Sequence, residues 1–296
     1  MGKKLLLDTD IGSDIDDVLA LIYILNKMDA ELLGITTVSG QAGQRANLAQ
    51  KICFDENKKD IPIFKGFSNP IIGKQIQKTA PQSEVLDKEF NINNDPIEAV
   101  KFMSDTIKAN PDKITLIGIG PLTNIAYLFK LFPETKKLIK DIVLMNGVFF
   151  SCPYETHKAE WNTLLDPIAA EIVYENIKDI DNLMVGLDVT TQCKINSKES
   201  INKFSNYKGN TETIIAPLQV WNKDFDEVVF HDPLAVASIF KPELLETQKG
   251  VVELELQSRR LSGLTYWEKR HNGPHKIAFK VNSEAFFEEY FSVLGI

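Results

Sequence analysis

Short apolar runs alternate with stretches of helical spacing through the first two thirds of the chain. Leu5–Asp8, Leu32–Val38, Ile61–Phe64, Ile114–Ile119, Ile142–Met145 and Leu183–Val189 read as buried strands. Between them, Asp17–Lys27, Gln44–Phe54, Pro96–Ala109, Leu122–Phe129 and Pro167–Asn176 carry apolar residues at helical intervals. That alternation predicts right-handed βαβ units: an α/β fold with a mostly parallel central sheet and helices on both faces. After Ile195 the pattern turns helical to about Phe240. It then gives strands at Val251–Glu255, Leu264–Trp267 and Lys276–Val281, and an amphipathic helix at Glu284–Leu294. Residues 66–94 and 147–165 exceed routine connections, and loops of that length usually carry function. No repeat or Ser/Gly linker divides the chain, so one domain, 1–296, is expected.

Polar chemistry concentrates where the first strand meets the first helix. Asp8, Asp10, Asp14, Asp16 and Asp17 fall within ten residues, directly after Leu5–Leu7. In α/β proteins the crevice at the C-terminal ends of the strands is where ligands bind. Helix capping and the helix dipole account for one or two acids there, not five. Crowded carboxylates repel, and a divalent cation relieves them; an all-oxygen donor set favours Ca²⁺ or Mg²⁺ over zinc.

Composition narrows the partners. With 33 Lys and Arg against 41 Asp and Glu, the net charge is −8, which argues against nucleic acid. Cys53, Cys152 and Cys193 are far apart and odd in number, so no disulfide framework follows and a reducing cytoplasm is expected. No apolar run is long enough for a membrane span, and none of signal type opens the chain.

Further constellations lie downstream. Ile114–Asn124 reads as a strand, a Gly-Pro turn and a helix start, with Thr123 or Asn124 as cap and the Ile119 carbonyl facing the crevice of Asp10 and Asp17. Glu160 and Asn162 flank Trp161 and suit either a grip on sugar hydroxyls or an ordinary polar loop. Asp166-Pro167 reads as N-cap and first helical residue. Asp232 is either a helix cap before Pro233 or a metal ligand, with His231 beside it as a titrating acid. Trp221 and Phe225 suit base stacking or the core, and His271 and His275 lie in an exposed-looking Gly/Pro loop.

Taken in order, these residues resemble the inosine–uridine-preferring nucleoside hydrolase superfamily nearly end to end. The shared pattern is Asp8-Thr-Asp10-Ile-Gly12, Asp16-Asp17, Gly120-Pro-Leu-Thr-Asn124, Glu160-Trp-Asn162, Asp166-Pro167, Gly186-Leu-Asp-Val-Thr190 and His231-Asp232-Pro233. The resemblance implies a Rossmann-like core, N-glycosidic hydrolysis of ribonucleosides with bound Ca²⁺, a role in nucleoside salvage, and a homodimer or homotetramer. It implies that Asp10, Asp17, Asp232 and the Ile119 carbonyl hold the ion, and that Asp10 deprotonates the attacking water. Asp16 and Asp232 would bind the 2′- and 3′-hydroxyls, Glu160 and Asn162 the 3′ and 5′ side, and His231 would protonate the departing base.

The sequence departs from the family pattern in four places. Asp14 and Ile15 are extra within the first cluster, which lets Asp14 substitute for Asp16. Gln41 stands where an Asn contacts the sugar and metal region, and Tyr154 or a neighbour where an Asn reaches the 5′-hydroxyl. Residues 78–90 lack the HGxxG signature of the loop that closes over the nucleoside. Base preference is open on these residues. Two rival readings are a non-catalytic ribosyl-binding homologue and a phosphohydrolase of haloacid-dehalogenase type, with Asp8 as nucleophile, Asp10 as acid/base and Mg²⁺ as metal.

Overall fold

A computed structural model describes residues 2–88, 90, 92–93, 95–150 and 159–296. Its strands are β1 (Lys3–Thr9), β2 (Ala30–Thr37), β3 (Ile63–Lys65), β4 (Ile114–Gly118), β5 (Asp141–Met145), β6 (Asp181–Val185), β7 (Lys194–Asn196), β8 (Glu227–Val229), β9 (Leu245–Leu254), β10 (Thr265–Lys269) and β11 (His275–Val281). The helices are α1 (Asp16–Asn26), α2 (Ala42–Asp55), α3 (Pro96–Ala109), α4 (Thr123–Leu131), α5 (Trp161–Leu165), α6 (Pro167–Asn176), α7 (Leu187–Thr190), α8 (Ser197–Phe204), α9 (Glu212–Trp221), α10 (His231–Phe240) and α11 (Ser283–Leu294). Nine strands form one sheet in the order β10-β9-β11-β6-β5-β4-β1-β2-β3. Only β9 runs against the other eight.

The sequence of β1 shows why both faces are covered. Leu5, Leu6 and Leu7 are all fully buried, but alternate strand residues face opposite ways. Leu5 and Leu7 join the core built with α1, α2, α10 and α11, while Leu6 joins the core built with α3, α4 and α6. In β5 likewise, Val143 and Met145 face the first core and Ile142 and Leu144 the second. A strand buried on both sides loses its polar positions, as parallel sheets require.

The chain winds from β1 outward to β2 and β3, then returns to β4 on the other flank of β1. Strand order reverses there, so the C-terminal ends of β1 and β4 open into a crevice rather than beneath a crossover. Asp10 and Ile119 lie just beyond those ends.

Several boundaries differ from expectation. The run Leu183–Val189 is not one strand: β6 stops at Val185, and Gly186 leads into the helical turn α7. The stretch after Ile195 is not continuously helical, because β7 and β8 pair as an antiparallel ribbon. β9 begins six residues before Val251, at Leu245. His275 is not exposed. It is fully buried at the start of β11, its Nδ1 accepting the Val252 N–H at 2.9 Å and its Nε2 lying 3.0 Å from Tyr174 O. Among the described residues no helix is long and apolar enough to cross a membrane.

Candidate active site

β1 delivers its acids from the strand end and α1 from its first turn. Ile15 precedes α1 without a side-chain cap, so Asp16 and Asp17 are free to face the crevice. The Asp16 carboxylate accepts the Asp17 N–H at 3.1 Å and, through its other oxygen, the Asp232 N–H at 3.2 Å. That bond reaches across 216 residues to fasten α10 against α1. Asp232 is not a helix cap: α10 opens at His231, after Phe230, and Asp232 sits in the first turn facing the cluster. Asp16, Asp17 and Asp232 each offer an oxygen, all lying within 4.8 Å of one another and all buried.

Burial and mutual repulsion push these acids above the ordinary carboxylate range. For Asp16 and Asp232, desolvation comes first, followed by neighbouring aspartates. Asp17 and Asp10 are raised chiefly by burial, and Asp14 is pushed up to about 7 for the same reason. Asp14 turns its carboxylate onto the N–H of Ile15 at 2.6 Å, whereas Asp16 reaches Asp232.

One cation moderates the cluster. Arg45 of α2 is fully buried, and its charge opposes those of Asp10 and Asp17. Its guanidinium donates to the carbonyls of Asp10 and Ser39, to Ile11 O at 3.0 Å and to Ser13 Oγ at 2.9 Å. Arg45 was not singled out from sequence, although it shares a helix face with Ala42, Ala46, Ala49 and Ile52. A charge at core spacing is the signal that could have found it.

Ile119 follows β4 directly, its N–H donating to Asp8 O at 2.9 Å. Asn162 Nδ2 donates to the Ile119 carbonyl at 3.2 Å and to Met145 O at 3.1 Å. Gly120 is required here: a Cβ would come within 2.8 Å of Asp10 Oδ1. Thr123 and Asn124 do not cap α4. Thr123 Oγ1 donates to Asp166 Oδ2 at 2.7 Å, and Asn124 Nδ2 donates to Asp8 Oδ1 at 2.7 Å. Asp166 is the N-cap of α6, accepting the Ala169 N–H at 3.1 Å ahead of Pro167.

Other residues of the expected site also have partners within the fold. Glu160 caps α5, its oxygens accepting the N–H groups of Asn162, Thr163 and Gly147. Gln41, exposed at the start of α2, accepts the Ala80 N–H at 2.9 Å. Tyr154 and Cys152 lie outside the described residues. Trp221 is partly buried against the core and stacks on Phe225 with centroids 3.9 Å apart, while Phe225 is half exposed.

His231 Nδ1 lies 2.7 Å from Thr190 Oγ1 at the end of α7. Burial lowers its pKa to about 4. Asp8 is fully buried, with Oδ1 accepting from Thr36 and Asn124. A phosphatase nucleophile must be open to its substrate, so this placement disfavours the phosphohydrolase reading.

Residues 5–288 match the family model described as inosine-uridine preferring nucleoside hydrolase. The chain is 33% identical to the pyrimidine-specific ribonucleoside hydrolase RihA of Shewanella baltica, over 90% of this chain and 86% of that one. It is 29% identical to uridine nucleosidase 1 of Arabidopsis thaliana, covering 97% and 92% respectively. The solved structure of the purine-preferring ribonucleoside hydrolase from Gardnerella vaginalis superposes with a TM-score of 0.83 at 26% identity, covering 99% of this chain and 98% of that one. The chain therefore belongs to the inosine-uridine preferring nucleoside hydrolase family, and it is an N-glycosyl hydrolase acting on ribonucleosides.

Proposed function

We propose that this chain, as a single domain, hydrolyses ribonucleosides to ribose and free base with the help of one Ca²⁺. The observation that carries the reading is the buried trio Asp16, Asp17 and Asp232, with Asp10 electrostatically tied to each. Carboxylates that repel one another in a desolvated crevice fit a hard, oxygen-seeking cation. Asp10, Asp17, Asp232 and the Ile119 carbonyl would hold it. When bound, the ion supplies charge compensation and Lewis acidity that makes a water a nucleophile near neutral pH.

The chain's own residues divide the remaining work. Asp10 takes the proton of the attacking water. Asp16 and Asp232 accept hydrogen bonds from the 2′- and 3′-hydroxyls, and Asn162 supports the sugar's 3′ and 5′ side. Together the acids oppose the positive charge that develops on the ribose as the base leaves. Thr190 Oγ1 orients the ring through Nδ1: in the protonated imidazolium Nδ1 donates to Thr190, and Nε2 carries the proton that passes to the departing base, leaving neutral imidazole. Negative charge growing on that base favours the protonated ring and so counters the effect of burial.

The test is base release over a panel of purine and pyrimidine nucleosides with Ca²⁺ present. Binding without release of any base would identify a ribosyl-binding homologue instead. Ribose selectivity is the companion expectation. A site that hydrogen-bonds a substrate hydroxyl leaves buried groups unpaired when it is missing, which costs on the order of 10⁴-fold in kcat/KM. 2′-Deoxynucleosides should therefore react far more slowly than ribonucleosides, and equal rates would refute the diol assignment.

A further inference from the structure

Residues 75–82 lead into the stretch, 78–90, where the HGxxG signature is missing, and they are tied to their surroundings from several directions. Gln75 Nε2 donates to Ser68 O at 2.7 Å and to Ser39 Oγ at 3.1 Å, while Gln75 Oε1 accepts the Gln77 N–H at 2.8 Å. Thr79 O accepts from Arg45 at 3.2 Å, and the Gln82 N–H donates to Gly12 O at 3.0 Å. Gly40, with φ +54°, admits this segment, since a Cβ there would collide with Gln77 O. Ser39 has φ +72°, a conformation that a serine keeps only when its surroundings hold it.

What these ties secure is the side chain of Gln77. Ser39 Oγ already accepts from Gln75, so its single proton goes to Gln77 Oε1, at 2.6 Å. That fixes the amide, and Gln77 Nε2 donates to Asp10 Oδ2 at 2.7 Å. Asp10 Oδ1 lies instead against Gly120. One oxygen of Asp10 is clamped by the amide, and the other lies outside that clamp.

We infer that Gln77 is a positioning residue for Asp10, holding its carboxylate in the orientation from which Oδ1 can act; the inference rests on the role proposed above for Asp10. A carboxylate free to swing about its last bond loses the alignment on which proton abstraction depends. Gln41, at the position where relatives place an Asn, instead holds Ala80. Its partner segment supplies the amide that meets the acid.

The test compares Gln77→Glu, Gln77→Leu, Asp10→Asn and the double variant Asp10→Asn/Gln77→Glu. Gln77→Glu keeps the shape but turns the donor into an acceptor facing a carboxylate. Losing such a supporting partner typically costs 10- to 100-fold in activity or metal affinity. Both Gln77 variants should therefore lose roughly 10- to 100-fold in kcat with KM little changed, and Ca²⁺ affinity by calorimetry should weaken. Gln77→Glu should also melt at a lower temperature than wild type, and the double variant, with donor and acceptor exchanged, should regain it without regaining activity. This thermal comparison needs no substrate. Wild-type kcat in both Gln77 variants beside an inactive Asp10→Asn overturns the inference and leaves Asp10's role intact. An active Asp10→Asn overturns Asp10's role and the inference with it. If Gln77→Glu does not fold, Ser39→Ala replaces it, and its failure to lower kcat is equally decisive against the relay.

Discussion

Asp17→Ala is expected to retain no divalent ion and to release no base from any nucleoside, yet in chelator at pH 7 it should melt higher than the wild-type protein. Both effects follow from the same crowding, because deleting one of several mutually repelling acids relieves the metal-free fold. With saturating Ca²⁺ the order reverses, since only the wild type gains binding energy. The pH dependence has a definite sign. Asp8, Asp14 and Glu160 are each pushed up to about 7, chiefly by burial, and Asp10, Asp16, Asp17 and Asp232 also lie above the ordinary range. An acid with a raised folded-state pKa contributes stability that is complete below its unfolded value, near 4, and is lost as pH rises towards 7. His231, lowered to about 4, and His275, also lowered chiefly by burial, work the other way, but they are two groups against seven. Metal-free protein should therefore lose melting temperature between about pH 4 and pH 7, and Ca²⁺ should restore it. Melting curves in chelator and in Ca²⁺ that coincide across this range would remove the metal from the reading.

His231→Ala is expected to slow hydrolysis of a natural nucleoside by roughly 10²- to 10⁴-fold, the usual worth of a general acid. A nucleobase leaves poorly as an anion. p-Nitrophenol does not, so p-nitrophenyl riboside should keep most of its rate in the same variant. Equal loss on both substrates would make His231 a ribose contact or a structural residue. No loss on either would place leaving-group activation elsewhere. Thr190→Val offers a finer check. It removes the hydroxyl 2.7 Å from Nδ1 and should reproduce part of the nucleoside defect while sparing the aryl riboside.

Much of the fold was legible because both faces of the sheet are covered. β1, β4 and β5 each carry a compact apolar run, such as Leu5–Leu7 and Ile142–Met145, and α3 and α6 announce themselves by Asp-Pro at their starts. Elements that answer to distant partners were not legible. Gly186-Leu-Asp-Val-Thr190 continues an apolar run but forms the turn α7, whose partners, His231 among them, lie far along the chain. β7 and β8 are three residues each, too short for alternation to register. His275 follows Gly273-Pro274 and so reads as loop, but pairing with β9 buries it. The acidic cluster was visible as local density in the sequence. Gln77 and Arg45 were not, because a glutamine or an arginine acquires its role only from the backbone folded against it.

The buried guanidinium also fixes the electrical balance of the crevice. Asp10, Asp16, Asp17 and Asp232, when ionised, carry four negative charges; Arg45 and one divalent ion supply three positive ones. What remains is a slight excess of negative potential, which suits a sugar turning cationic and repels any substrate that arrives as an anion. A nucleoside 5′-monophosphate brings about two negative charges of its own. With such an ion bound, the crevice is expected to favour neutral nucleosides over nucleotides. Competition by uridine 5′-monophosphate as strong as that by uridine would show that another cation reaches the sugar's 5′ end.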